Sequence, residues 1–199
     1  MPAERPAARP SRAARRTDPD RRDRIVDAAL EVLAEHGVAG ASHRRIAERA
    51  GVPLGSMTYH FAGMDDLLRV AFTRLADRVA DRFERRMAAV ASADQVVDAV
   101  VDMVLQDTPG SGAELVLSHE LYTLAARREE FRDITHAWMA RSRAALERHL
   151  DRVTARQLDA LVEGLVIHRA LDLGRDPRDE RGFVRDAVAR VLAGAAPSR

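Results

Sequence analysis

The sequence predicts an all-α protein of about nine helices, in which a small N-terminal helix-turn-helix unit precedes a larger helical domain. Apolar residues recur at spacings of three and four along the whole chain, whereas apolar and polar residues rarely alternate. Two short helical segments joined by a glycine-containing turn follow the first helix, which is the arrangement of a helix-turn-helix. Both observations favour helices packed on helices.

Composition limits the class of protein. The chain has 199 residues, of which 46% are hydrophobic, enough for one or two cores of moderate size. It contains no cysteine, which excludes disulfides, thiolate metal sites and a cysteine nucleophile. No apolar run is long enough to span a membrane, and the first residues lack the apolar segment of a secretory signal. We therefore expect a cytoplasmic protein with no membrane partner.

The start of the chain is strongly basic, although the net charge of the whole chain is only +1. Residues 1–17 carry five arginines against one glutamate, and with their prolines they predict a disordered basic arm. The arm is either an inert solubilising tail or a nonspecific contact to phosphates. In the second case the release of counterions would make its affinity depend on salt.

Helix signals are clear in the next segment. The first helix is predicted over residues 20–36, between an Asp-Pro start and a terminating Gly37. Ser42 can cap a short second helix, which Gly51 then ends at a position that favours a positive φ. This second helix, the tight turn after it and a short third helix form the predicted helix-turn-helix.

A third, very short helix is predicted to begin at Leu54, beyond the turn that contains Pro53. Its apolar residues Met57 and Phe61 lie four apart and can pin one face to the first helix. The positions left on the outside are Gly55, Ser56, Thr58, Tyr59 and His60. Their hydroxyl, methyl and ring groups suit base edges and phosphates in a DNA major groove, although a tyrosine and a histidine at a helix end can equally be ordinary surface residues.

Residues 20–75 resemble the DNA-binding domain of the TetR family of bacterial transcriptional regulators. The resemblance is carried by Ser42, Ile46, Ala47, Ala50, Gly51, Val52, Gly55, Ser56, Met57, Tyr59, His60 and Phe61, followed by MDDLL at 64–68. It implies phosphate contacts from Ser42 and Arg44, base-facing positions at Leu54, Gly55, Ser56 and Thr58, and DNA-backbone contacts from Tyr59 and His60. We accordingly assign residues 18–63 to a DNA-binding domain.

Two positions depart from the family pattern. Pro53 stands where relatives usually have a serine that caps the third helix, and proline in a first turn remains compatible with a helix. Met64 stands where a lysine often reaches a phosphate. The missing charge implies that Arg44, Arg45 or the basic arm compensates.

The second domain is predicted over residues 64–194, for ligand binding and dimerisation. Its first helix, over 64–91, would link the two parts of the molecule mechanically. A break at 108–112 separates a strongly apolar helix from two further helices, over 113–127 and 129–150. Apolar walls with a few polar groups are what a small-molecule site needs. The candidate ligand residues are Met103, His119, Glu120, Tyr122, Trp138 and His168, and the alternative for each is ordinary core packing.

The last two helices, over 154–173 and 181–193, show more apolar surface than one core face requires. In a monomer this would be a wide core stripe. In a TetR relative, these helices would form a four-helix bundle with those of a second copy, and Gly164 would permit close approach. The candidate dimer residues are Leu158, Leu161, Gly164, Leu165, Val184, Val188 and Val191. A two-fold homodimer could read both halves of a palindromic site in double-stranded DNA.

No catalytic, metal or cofactor site is predicted. Ser118, His119 and Glu120 are consecutive, so on a helix their side chains point about 100° apart and cannot form a triad. His168 and Asp172 are four apart and could share a metal, but two ligands alone are a weak signal, and a surface or core pair is the simpler interpretation.

These patterns predict a homodimeric, ligand-responsive transcriptional regulator, most simply a repressor that a small-molecule effector releases from a palindromic operator. The alternative in a different class is a dimeric DNA-binding architectural protein without an effector. A third possibility is a helical protein that binds a small molecule and does not touch DNA.

Overall fold

The computed structural model describes residues 20–106, 112–171 and 177–194, and every regular element in these ranges is helical. The α-helices are α1 (Arg21–Gly40), α2 (His43–Arg49), α3 (Gly55–His60), α4 (Met64–Ala88), α5 (Ala93–Gln106), α6 (Ala113–Arg127), α7 (Arg132–Leu146), α8 (Arg152–Leu171) and α9 (Pro177–Ala193), with a 3₁₀ turn at Glu129–Phe131. The predicted all-α class is confirmed. The basic arm, the Asp-Pro helix start, Asp172 and most of the 108–112 break lie outside the described residues.

The boundaries of α1 to α3 follow from local sequence. α1 is interrupted at Gly37, whose φ of +65° and ψ of 176° belong to a region that glycine alone adopts readily. Ser42 caps α2, because its hydroxyl accepts a hydrogen bond from the backbone N–H of Arg45 at 3.3 Å. Gly51 has a φ of +63° and turns the chain towards α3. The predicted helix-turn-helix is present.

The first of two hydrophobic cores joins these three helices to α4, α6 and α7. Its fully buried side chains include Ile25, Leu33, Ile46, Met57, Leu68, Phe72, Leu121 and Phe131. Phe72 of α4 and Phe131 meet edge to face with ring centroids 6.4 Å apart. Burial of each such side chain contributes roughly 1.5–3 kcal/mol. The DNA-facing helices therefore share one packed core with α6, which comes much later in the chain.

The second core lies between α5, α8, α9 and the ends of α4 and α7. Phe83 and Met87 of α4 belong to it, so this helix of 25 residues, about 37 Å long, reaches from one core to the other. Arg141 of α7 binds along α4, and its Nε donates to Glu84 Oε1 at 2.8 Å. The hydrogen bond from Arg141 lowers the pKa of Glu84. These contacts join α4 to α7 along its length.

The apolar stripes of α8 and α9 are largely internal. Leu158, Leu165, Val184 and Val188 are buried in the second core of their own chain. These four predicted dimer residues therefore do not lie on the outer surface of the described chain, because both helices first cover the valines of α5. Among the described residues, no helix is long and apolar enough to cross a membrane.

A different set of apolar residues is left on the outside of α8 and α9. Leu161, Gly164 and Val191, from the predicted set, remain partly exposed. Leu171 is 68% exposed and Phe183 is 50% exposed. On α8, residues 161, 164, 168 and 171 follow a spacing of three and four and so share one face.

Candidate functional site

α2 and α3 present most of the predicted DNA-contacting residues on one surface. Ser42, Arg44, Arg45, Leu54, Gly55, Thr58 and Tyr59 are exposed, and His60 is half-buried. Tyr59 is 81% exposed, and its ring meets the ring of His60 edge to face with centroids 4.9 Å apart. An aromatic ring this exposed contributes little to the core and is accessible to a partner.

Ser56 is the exception among these residues. It is only 8% exposed, and its backbone N–H donates to the Pro53 carbonyl at 2.8 Å. α3 has six residues, and its buried face takes in Ser56 beside Met57. This corrects the prediction that Ser56 faces bases, and it leaves Gly55 and Thr58 on the outside of the helix.

Ion pairs fix α2 against α1 and leave one of its arginines available. Arg49 bridges two glutamates of α1, with Nη1 2.9 Å from Glu35 Oε1. This hydrogen bond lowers the pKa of Glu35. Arg45 donates to the Gly40 carbonyl. Within the described part of the chain, Arg44 makes no ion pair and points a full charge at solvent.

A cavity of about 150 Å³ lies between α4, α5, α6, α7 and α8. That volume is room for about one aromatic ring. Met103, His119, Tyr122 and Trp138, from the predicted ligand residues, line it. The rings of Tyr122 and Trp138 stack with centroids 5.9 Å apart and an angle of 19° between their planes. The cavity therefore has an aromatic wall inside a mainly apolar space.

Two carboxylates that sequence reasoning missed also line this cavity. Asp159 and Glu163 lie one turn apart on α8. Asp159 pairs with Arg143 of α7 at 3.0 Å, whereas Glu163 is hydrogen-bonded by the side chain of Tyr122. Burial raises the pKa of both carboxyl groups, because it disfavours the charged form. Burial, with Glu163 close by, also raises the pKa of the Tyr122 hydroxyl.

The structure places two of the predicted ligand residues elsewhere. Glu120 lies on the side of α6 that faces the N-terminal helices, and its Oε2 accepts a hydrogen bond from the backbone N–H of Val38 at 3.1 Å. His168 is exposed on the outer face of α8. Neither lines the cavity, because His119 and Glu120 point in different directions from one helix and His168 lies on the opposite face of α8 from Asp159 and Glu163.

α6 thus touches both the cavity and α1, the helix against which α2 packs. His119 and Tyr122 line the cavity on one side, while Glu120 holds Val38 on another. Just beyond the end of α6, Arg128 Nη1 donates to Asp65 Oδ1 at 2.9 Å, at the start of α4. The hydrogen bond from Arg128 lowers the pKa of Asp65. A change in the position of α6 would therefore reach the end of α1 and the start of α4.

The sequence contains part of the signal for Asp159 and Glu163, although sequence reasoning missed both carboxylates. Asp159 and Glu163 interrupt the apolar spacing of α8, with Leu158, Leu161 and Val162 around them. Charged residues at such positions are commonly read as the solvent side of a helix. A pair of acids four apart, flanked by apolar residues on either side, was the available signal.

Comparison with known proteins gives the same assignment for both parts of the chain. The model of the bacterial regulatory proteins of the tetR family matches residues 25–71, and that of the tetracyclin repressor-like C-terminal domain matches residues 91–194. The HTH-type transcriptional regulator PksA of Bacillus subtilis (strain 168) is 28% identical over 80% of this chain and 83% of its own.

Solved structures agree in fold. The transcriptional regulator SCO7518 of Streptomyces coelicolor A3(2) is 51% identical, with a TM-score of 0.79 over 87% of this chain and 98% of its own. The multidrug binding protein EbrR, complexed with ethidium, is 35% identical, with a TM-score of 0.70 over 87% of this chain and 99% of its own. With an exposed helix-turn-helix in front and a matching helical domain behind, the chain belongs to the TetR family and is a DNA-binding transcriptional regulator.

Proposed function

We propose that this protein is a homodimeric repressor that holds a palindromic operator and releases it when a small-molecule effector fills the cavity behind α6. Residues 18–63 would read the DNA, and residues 64–194 would bind the effector and the second copy. The observation that carries the proposal is the double contact of α6. His119 and Tyr122 meet the cavity, and Glu120 holds the backbone of Val38 next to α2.

The DNA contacts in this proposal come from the exposed residues of α2 and α3. Arg44 would meet a phosphate as an unpaired charge, and Tyr59 and His60 would meet the DNA backbone. Gly55 and Thr58 would approach base edges, since Gly55 has no side chain and a Cβ there would meet nothing within 4 Å.

The size of the cavity supports a mechanism for release. Its volume of about 150 Å³ has room for about one ring, so an effector that adds even a small charged group to that ring would press on the walls. α6 is the wall that also contacts the N-terminal unit. An effector of this kind binds the displaced state better, and shifting the population from 1:99 to 99:1 takes about 5.5 kcal/mol of differential binding. EbrR, which is similar in sequence and fold, supports an effector site because it was solved with ethidium bound.

The outer faces of α8 and α9 are the proposed dimer interface. Leu161, Gly164, His168 and Leu171 form one stripe of α8, and Phe183 lies on the neighbouring helix. Half-exposed apolar side chains beside a glycine allow two such faces to pack closely, and a two-fold axis would present two reading heads to one side of DNA. His168 and Leu171 thus replace the buried residues of the sequence-based interface.

Selection of genomic DNA fragments by the purified protein at near-physiological salt, followed by footprinting of the best fragment, tests the proposal. We expect a protected inverted repeat that the His60→Ala variant no longer protects. A variant with a matched change off this surface, His136→Ala on the exposed side of α7, should protect it as wild type does. Binding that is salt-sensitive but indifferent to sequence would favour a DNA-binding architectural protein instead.

A further inference from the structure

The ionisable groups around the cavity do not balance one another. Arg82 is paired with Glu114, and Arg143 with Asp159 at 3.0 Å. Glu163 remains, and its hydrogen-bond partner among the described residues is the uncharged side chain of Tyr122, while His119 of the same lining is the basic group that interacts with it electrostatically. The cavity wall therefore carries one carboxylate that no arginine of the described chain neutralises.

That carboxylate stands beside the aromatic wall. Tyr122 bonds Glu163 and stacks on Trp138, and His119 meets Tyr122 with ring centroids 6.4 Å apart. Aromatic faces attract cations through their quadrupole, more strongly where water is excluded. A carboxylate can accept up to about four hydrogen bonds, so Glu163 keeps acceptor sites free after Tyr122 is satisfied. One side of the cavity thus offers two independent attractions for positive charge.

We propose that the effector is a compact aromatic organic cation, with its ring against Tyr122 and Trp138 and its positive charge at Glu163. The inference rests on the proposed role of this cavity as the effector site. It assigns Glu163 as the residue that selects ligand charge, with Asp159 excluded from that role because Arg143 already neutralises it.

The other charge classes fit the cavity less well. An anion would lie against Glu163 and Asp159, while Arg82 of the lining is already engaged by Glu114 and Arg143, behind Asp159, by that carboxylate. A neutral ligand would displace water from Glu163 and leave its charge further desolvated, which costs free energy. A cation supplies the missing charge and removes that cost.

Binding can be measured on the full chain without DNA. Trp138 is the single tryptophan of the protein and lines the cavity, so its fluorescence reports occupancy directly. The probes are phenyltrimethylammonium and tert-butylbenzene, which have nearly the same shape and differ in charge. We expect wild type to bind the cation about tenfold more tightly than the neutral probe or better. In Glu163→Gln the two affinities should approach each other.

Two further variants keep the result interpretable. Glu163→Asp retains the carboxylate and should retain the preference for the cation, and Glu147→Gln, an exposed glutamate at the end of α7, should behave as wild type. Circular dichroism checks that each variant is folded. Equal binding of both probes by wild type, binding of neither, or a cation preference that survives in Glu163→Gln would overturn the inference.

The outcome is separable from that of the proposed function. If the neutral probe binds best and still releases the operator, the protein is an effector-controlled regulator with a different ligand class. If the cation binds through Glu163 and the operator stays bound, the ligand class is right and the proposed release is wrong.

Discussion

At the residue scale, the DNA-facing surface depends on which side chains are already engaged within the protein. Arg49 and Arg45 of α2 are held by glutamates of α1 and by the Gly40 carbonyl, respectively. Arg44 is held by neither an acid nor a carbonyl in the described structure. Its guanidinium can therefore bind a phosphate without first giving up an internal contact.

Replacement of Arg44 by alanine should weaken binding to operator and to random DNA by similar factors. The loss of one phosphate contact should also lower the slope of log affinity against log salt by about one. Arg85→Ala, a change of another exposed arginine near the far end of α4, is the control and should leave both values as in wild type. Fluorescence anisotropy over a range of salt concentrations measures both. An unchanged slope in Arg44→Ala would mean that this residue does not contact phosphate.

The structural role of some residues could be predicted from their neighbours in sequence, whereas that of others could not. The cap at Ser42 and the positive φ of Gly51 depend on neighbours within four residues, so the sequence contains the information. The positions of Ser56, Glu120 and Glu163 depend on which helices pack around them. Their environments are set by contacts between residues far apart in sequence, which periodicity on a single helix does not resolve.

At the element scale, α6 is the helix on which the account depends. Sequence periodicity predicted its limits within the described residues, and family resemblance placed it in the second domain. Neither the periodicity nor the resemblance predicted that Leu117 and Leu121 of this helix would complete the core of the first domain. The same helix lines the cavity through His119 and Tyr122. The ligand cavity and the core beneath the DNA-facing helices are therefore joined by one helix.

Gly37 is the backbone position where this contact is tightest. Its φ of +65° disfavours other residues, and a Cβ there would lie 2.7 Å from Glu120 Oε1. Gly37→Ala should lower the free energy of unfolding by about 1–3 kcal/mol. Gly182→Ala, in α9 with nothing within 4 Å of the added carbon, should raise it by about 0.5–1 kcal/mol. Urea unfolding measures both, and equal effects at the two glycines would contradict the strain assigned to Gly37.

Glu120 offers a separate test of coupling because it lies outside the cavity. Glu120→Ala leaves the Val38 N–H without its acceptor, whereas a glutamine at this position can still accept through its side-chain carbonyl. We expect the alanine variant to bind cavity ligands as wild type does in the absence of DNA, and to transmit less of that binding to the operator. Glu120→Gln should restore transmission. Calorimetric titration of each variant with a cavity ligand, with and without operator, measures how far ligand binding weakens operator binding. If Glu120→Ala shows the same weakening as wild type, this hydrogen bond is not part of the switch.

At the scale of the whole molecule, a pair of helix-turn-helix units requires a second copy of the chain. Family resemblance pointed to α8 and α9, but the predicted residues were mostly those of the core, because the most apolar stripe of a helix covers its own protein first. The surface left for a partner is mixed, with Gly164, Leu171 and Phe183 among its exposed or half-exposed positions. Which residues of α8 and α9 form the buried face and which form the exposed face depends on the packing of the whole chain.

Phe183→Glu should convert the dimer to a monomer, since it places a charge in the proposed interface without removing a core side chain. Light scattering after gel filtration gives the mass directly. Val116→Glu, a similar change at an exposed apolar residue of α6, should leave the mass at twice that of one chain. A Phe183→Glu variant that remains dimeric would place the interface elsewhere.

The central claim is that cavity and operator are thermodynamically linked. The most direct measurement is the affinity of the wild-type protein for a cavity ligand, determined first alone and then with a saturating amount of the selected operator fragment. Linkage is reciprocal, so a ligand that releases DNA must bind less tightly when DNA is present. We predict a loss of at least about fivefold, rising towards about 10⁴-fold if the ligand shifts the population completely from 1:99 to 99:1. The same affinity in both titrations would contradict the account, because the cavity would then have no influence on DNA.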